Sequence, residues 1–191
     1  MAWLLTLIDR LMLWLYPPKK DNMVSIDNSL ELPIEAVAPP KQPHTLALAY
    51  EAKPYTVTQP WGVYDPKTYA KYGYTRHSGV DIAHGHNARL RAPFDCEIIG
   101  TQYQKGGGRV LSILSDKEYL TPEGDIAYVR VDYLHLASYV QTEGEHKKGT
   151  LICIAGNTGE STGNHTHIKY TWVKKSGNKL IELYRNDADN S

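Results

Sequence analysis

Charge of neither sign is in excess in this 191-residue chain: Lys and Arg total 21, Asp and Glu total 21, and the formal net charge is +0. Nucleic-acid binding usually leaves a basic footprint, and the chain as a whole has none, so a nucleic-acid partner is not expected. Two cysteines, Cys96 and Cys153, are too few for a disulfide framework. Each lies in an apolar run, which predicts buried free thiols. A single Phe stands beside 14 Tyr, an imbalance that suits half-exposed strands and a surface touching a polar polymer better than a helical core. After residue 43 no window longer than about ten residues keeps a helical period. What is present is a hydrophobic fraction of 41% with 22% charged residues, enough for one globular core.

The first composition break is at the N-terminus. Residues 2–16 are apolar except for Thr6, Asp9 and Arg10, which share one helical face. A spanning helix needs about 20 apolar residues, so this stretch is not expected to cross a bilayer. The basic start and nearby small-residue cleavage site of a secretory signal are lacking, and Ala36-Val37-Ala38 lies far downstream. Three readings stand: an amphipathic helix lying in a membrane interface with Trp3, Trp14 and Tyr16 as anchors, a divergent export signal, or a helix that docks on a partner. Residues 17–43 hold six of the 11 prolines and read as an extended, semi-stiff linker. The folded domain is expected over residues 44–191.

Short strands separated by Gly, Pro, Asn and Asp follow from Tyr55 onward. Residues 96–101 and 109–114 flank Gly106-Gly107-Gly108 and read as a hairpin. Further strands are expected at 127–136, 151–155, 166–173 and 179–184, giving a mostly β, antiparallel domain.

Potential chemistry falls in three pieces. The first is His77-Ser-Gly-Val-Asp81, two potential metal ligands four apart. An extended run of four residues covers about 13 Å, too far for both side chains to reach one ion, so the backbone must bend. Gly79 would allow the bend through positive φ or a bulge. The second is Tyr128–Leu136, in which Val129, Val131 and Tyr133 share a face with His135, ordinarily the place of a satisfied core histidine. In the third, Ile168, Tyr170 and Trp172 make an apolar face while His165 and His167 point together to the other side, directly after a Gly-rich loop. Two imidazoles on an open strand face are hard to explain as packing.

Together the pieces offer two His and one carboxylate as ligands plus two further His. Three protein ligands with an open position suit catalytic zinc, which lowers its bound water towards a pKa of about 7. A structural zinc site would more often use thiolates, and both cysteines lie in apolar runs. A non-haem iron triad uses the same donor types. A cupin also has H-x-H, but Lys169, Tyr170 and Thr171 fill the stretch where its Glu follows.

The three motifs, in this order over roughly residues 55–175, resemble the lysostaphin-like (LytM-type) zinc endopeptidases of bacterial cell walls. Gln59-Pro60-Trp61-Gly62 resembles the segment that opens the domain in that family. Tyr72 to Tyr74 resembles the Tyr-bearing stretch before its first ligand. His84 to Pro93 resembles its turn into the next strand, and Gly149-Thr-Leu-Ile-Cys-Ile-Ala-Gly-Asn-Thr-Gly its Gly-rich loop. Asn164 and Thr166 depart from its pattern, standing where Pro and a large apolar residue are common.

The resemblance implies a duplicated hybrid motif fold, an antiparallel sheet or sandwich carrying a groove. It implies one zinc ion per chain held by His77, Asp81 and His167, with His135 and His165 as the catalytic pair. It further implies hydrolysis of peptide stems and cross-bridges of peptidoglycan, in the cell envelope or outside the cell, on a membrane or a virion. Tyr72, Tyr74 and Asn164 are then candidate substrate contacts. No H-E-x-x-H glutamate is present, so an imidazole must move the proton. The alternative is a non-catalytic module of the same type that binds cell wall or regulates a partner hydrolase. His84 and His86 lie in a turn composition, and His44 and His146 in polar surroundings.

The interfacial reading of residues 1–16 predicts that the full-length chain floats with anionic lipid vesicles more than a chain lacking residues 1–43. Equal flotation would favour a docking helix.

Overall fold

The computed structural model describes residues 56–85, 87–121 and 123–183; the N-terminal helix expected at 1–16, the linker at 17–43, His44 and His86 lie outside the described residues. The described strands are β1 (Thr56–Gln59), β2 (Val80–Ala83), β3 (Arg89–Arg91), β4 (Cys96–Gln104), β5 (Gly108–Ser115), β6 (Tyr119–Leu120), β7 (Ile126–Leu136), β8 (Ser138–Tyr139), β9 (Gly144–His146), β10 (Leu151–Ile154), β11 (His165–Ser176) and β12 (Lys179–Glu182). One short helix, α1 (Pro66–Tyr69), runs into a 3-10 turn at Ala70–Tyr72.

A large sheet has the order β1-β2-β11-β7-β5-β4-β9, with β12 added to β11 and β6 to β7; β3-β10-β8 form a small sheet. All pairings are antiparallel. The fold is therefore the mostly antiparallel β architecture expected from the sequence.

Alternation along the two longest strands explains the layering. Val129, Val131 and Tyr133 of β7 and Ile168 of β11 are buried in one cluster with Leu90, Ile152, Cys153 and Ala155 from the small-sheet side. Burial of side chains such as Leu111 and Ile113 contributes about 1.5–3 kcal/mol each. The opposite face of the large sheet, carrying Arg130, Asp132, His167 and Lys169, lines a cleft.

α1 belongs to the rim of that cleft. The Asp65 carboxylate accepts from the Thr68 amide at 3.1 Å and Pro66 occupies the first turn, so the helix starts cleanly. Gly73, with φ of 80°, ends the following 3-10 turn.

Both cysteines are buried and unpaired, as the sequence predicts. Burial pushes the Cys96 thiol up to about 12 and raises the Cys153 thiol as well. Native protein is therefore expected to resist thiol-directed alkylation at both positions, and denatured protein to take up two labels, read by intact mass. Rapid labelling of either cysteine in the native state would contradict this burial.

Candidate metal centre

The cleft encloses about 560 Å³, and the residues lining it include His77, Asp81, His135, His165 and His167. Strand pairing brings them together from remote parts of the chain. His167 on β11 is the direct cross-strand partner of Asp81 on β2 and, on its other side, of Leu134 on β7. Directly opposite residues present their side chains on the same face, close enough to touch.

His77 lies just before β2 and is tied to the segment ahead of α1. Its amide donates to Val63 O at 2.9 Å and its carbonyl accepts from the Gly62 amide at 2.9 Å. Its ring nitrogen Nδ1 is 3.0 Å from Pro60 O. A carbonyl only accepts, so Nδ1 carries the proton and the lone pair of the neutral ring sits on Nε2. The Tyr69 ring stacks against the imidazole at 5.5 Å between centroids.

The expected bend between His77 and Asp81 is present, but Gly79 serves it differently from the sequence expectation. Positive φ is not used at this position. Space is what the glycine provides: a Cβ there would come within 2.5 Å of His167 Nε2 and of Ile168 O.

His77 Nε2 lies 3.1 Å from Asp81 Oδ1 and 3.0 Å from His167 Nδ1, and His167 Nδ1 is 2.9 Å from Asp81 Oδ1. These three could hold a metal ion. Donor chemistry supports the fit. Two ring nitrogens and a carboxylate oxygen converge on one point, a donor set of the kind that holds a divalent cation. The edges of this triangle approach the edge of about 3.3 Å in a tetrahedron whose zinc bonds are about 2.0–2.1 Å.

Burial acts to raise the Asp81 pKa, but contacts with His167 and His77 outweigh it and hold the carboxyl well below its usual range. Burial lowers the pKa of His167 and of His135. Carboxylate and neutral imidazole are the forms that bind metals.

His135 does not follow the alternation of its strand. Its φ is 63°, a left-handed value for a non-glycine residue, carrying strain of order 1–3 kcal/mol. Between the pairs Leu136↔Arg109 and Tyr133↔Leu111, β7 advances three residues while β5 advances two. This bulge turns His135 out of the core face shared by Val129, Val131 and Tyr133 and into the cleft. The expectation that His135 shares the core face of its strand is corrected accordingly.

Three hydrogen bonds hold the strained residue. Its amide donates to Gly107 O at 2.7 Å, its carbonyl accepts from the Thr158 amide at 3.3 Å, and Nδ1 donates to Thr158 O at 2.8 Å. Thr158 Oγ1 donates to Leu136 O at 2.8 Å and accepts from the Arg109 amide at 3.0 Å. The expected hairpin at 106–108 thus doubles as a clamp. Gly108 has φ of 64°, and a Cβ there would be 2.4 Å from the Thr158 backbone.

His165 follows the alternation, and its ring centroid is 4.7 Å from that of His135. Its Nδ1 lies 3.0 Å from Gly163 O and 3.1 Å from Ser161 Oγ, while Nε2 is 3.9 Å from Asp81 Oδ1. Both imidazoles therefore anchor Nδ1 and leave Nε2 for the cleft.

Tyr72 and Tyr74 line the cleft, as does Tyr69. The Tyr72 hydroxyl and Lys71 Nζ both donate to Glu160 Oε2. Asn164 is not among the lining residues; its carbonyl accepts from the His84 amide at 3.4 Å. His84 and His146 also lie apart from the cleft lining. Sequence reasoning missed Tyr69, Ser78, whose Oγ is 3.3 Å from His167 Nε2, and the backbone carbonyls of Pro60 and Thr158.

Gly79→Ala is expected to displace the His167 ring and lower bound metal at least tenfold, read by elemental analysis, with the fold retained by circular dichroism. Full metal content in that variant would contradict the packing argument.

A sequence profile of Peptidase family M23 matches residues 75–179, which include all five residues of the centre. An uncharacterized metalloprotease of Haemophilus influenzae is 34% identical over 96 residues, covering 49% of this chain and 18% of that protein. The chain thus spans a minor part of that relative. A zinc containing peptidase from Vibrio cholerae matches with a TM-score of 0.51 at 23% identity, over 69% of this chain and 36% of that one. LytU matches with a TM-score of 0.51 at 24% identity, over 69% of this chain and 83% of that one. Those two likenesses are of fold, whereas the profile covers more than half of the sequence, and on that ground this chain belongs to peptidase family M23.

Proposed function

We propose that the chain is a zinc-dependent endopeptidase that hydrolyses peptide cross-links of bacterial peptidoglycan. The observation that carries this reading is the triangle of His77, Asp81 and His167 donor atoms beside two imidazoles anchored through Nδ1, all in one cleft. Membership of a peptidase family and the resemblance of the motifs to cell-wall endopeptidases support it. The substrate assigns the protein to the cell envelope or the extracellular space.

Zinc held by His77, Asp81 and His167 would supply a Lewis acid for the scissile carbonyl and a water acidified towards a pKa of about 7. The remaining chemistry belongs to the chain's own side chains. His135, kept neutral by burial and oriented by Thr158 O, accepts a proton at Nε2 and returns it to the leaving amine. His165, whose Nδ1–H is taken by Gly163 O, would donate from Nε2 to the developing oxyanion in its doubly protonated form. Tyr69, Tyr72 and Tyr74 line the cleft in which an extended peptide would lie.

Replacing His77, Asp81 or His167 with Ala is expected to lower zinc and activity together. His135→Ala and His165→Ala should keep about one zinc per chain and lose about 10²- to 10⁴-fold in release of amino groups from purified peptidoglycan. A zinc-free His165→Ala beside a zinc-loaded His167→Ala would reverse the assignment. A zinc-loaded wild type that releases no amino groups from any wall preparation would favour the binding-module reading.

The acid limb of kcat/KM is expected below the ordinary imidazole value of 6.5, because burial favours neutral His135. An acid limb above that value would contradict His135 as the base.

A further inference from the structure

The floor of the cleft continues past the metal-binding triangle into a charged row that the chemistry above does not use. Along one face of β11, Lys169 follows His167 by two residues, about 6.5–7 Å. Its cross-strand partner on β7 is Asp132, and that of Thr171 is Arg130. Lys169, Asp132 and Arg130 all line the cleft.

Asp132 is buried, at 8% exposure, and its charge is already committed. Arg130 Nε donates to Asp132 Oδ1 at 2.9 Å, and Ser112 Oγ donates to the same oxygen. The Arg130 and Asp132 charges cancel, while the outer guanidinium nitrogens make no hydrogen bond among the described residues. Lys169 has no carboxylate partner among the described residues; its ammonium lies 5.8 Å from the Tyr74 ring centroid, a cation on an aromatic wall of the cleft.

Glu160 also lines the cleft, but its carboxylate is taken by Lys71 and Tyr72. The cleft therefore carries a surplus cation beside a spare guanidinium edge, while its acid Glu160 is neutralised.

We infer that Lys169, with Arg130 behind it, binds a free carboxylate on a substrate residue flanking the scissile bond, so that the site favours unamidated over amidated peptides. This rests on the endopeptidase reading. An extended substrate has nearly the same residue spacing as β11, which brings a group on a flanking residue within reach of the lysine side chain. A charge-assisted hydrogen bond at a partly buried site distinguishes a carboxylate from the neutral amide of equal size.

The test uses zinc-loaded full-length protein and two synthetic cross-linked peptides that differ only in carrying free carboxylates or primary amides on the residues flanking the scissile bond. Wild type is expected to favour the free acid by about tenfold or more in kcat/KM, chiefly through KM. In Lys169→Gln the ratio should fall towards one, and Lys169→Arg should retain most of it, both variants binding zinc as wild type does. Equal kcat/KM of wild type on the two peptides, or an undiminished preference in Lys169→Gln, would overturn the inference and leave the endopeptidase reading standing. Cleavage of neither peptide would overturn that reading and this inference with it.

Discussion

His77 Nε2, Asp81 Oδ1 and His167 Nδ1 sit within 3.1 Å of one another where solvent scarcely reaches. Much of the surrounding structure keeps this arrangement from relaxing. Pro60 O fixes which nitrogen of His77 faces inward, and the β2–β11 register sets Asp81 opposite His167. The missing side chain at Gly79 leaves room for the His167 ring. A buried carboxylate is costly unless it meets hydrogen-bond donors or a positive charge. The same three groups are hard, well-oriented ligands once a divalent cation is present.

A second constraint acts on the neighbouring strand. Regular alternation would send His135 into the core beneath the sheet. One extra residue in β7 opposite β5 reverses its direction, at the expense of a left-handed backbone. That conformation persists because Gly107 O, Thr158 N–H and Thr158 O meet its amide, carbonyl and ring in turn. The Gly106-Gly107-Gly108 turn and the loop at Thr158 can approach so closely only where side chains are missing. Strain, hairpin and loop thus form one device that aims an imidazole at the metal-binding triangle.

Much of this was legible in the sequence, for a physical reason. Burial alternates with a period of two along β4 and the first half of β7, which local sequence displays directly, while β5 is a short apolar run buried nearly throughout. The outward face of His165 and His167 follows from the same period. Strand alternation alone misplaces His135 on the core face, because a bulge is a property of two strands in register, not of the strand that contains it. Gly79 was read as a source of backbone freedom, when its use is a contact with a residue 88 positions later. The carbonyls of Pro60 and Thr158 leave no trace in side-chain identity. The pattern motif marked the ligands, and tertiary structure supplied the groups that orient them.

The central claim is that two imidazoles and one carboxylate hold a single metal with a position left open. X-ray absorption fine structure of the zinc-loaded chain tests it most directly. The account predicts a shell of nitrogen and oxygen only, at about 2.0–2.1 Å, with the outer-shell scattering of two imidazoles. A sulfur scatterer at about 2.3 Å, or a shell without imidazole, would contradict it.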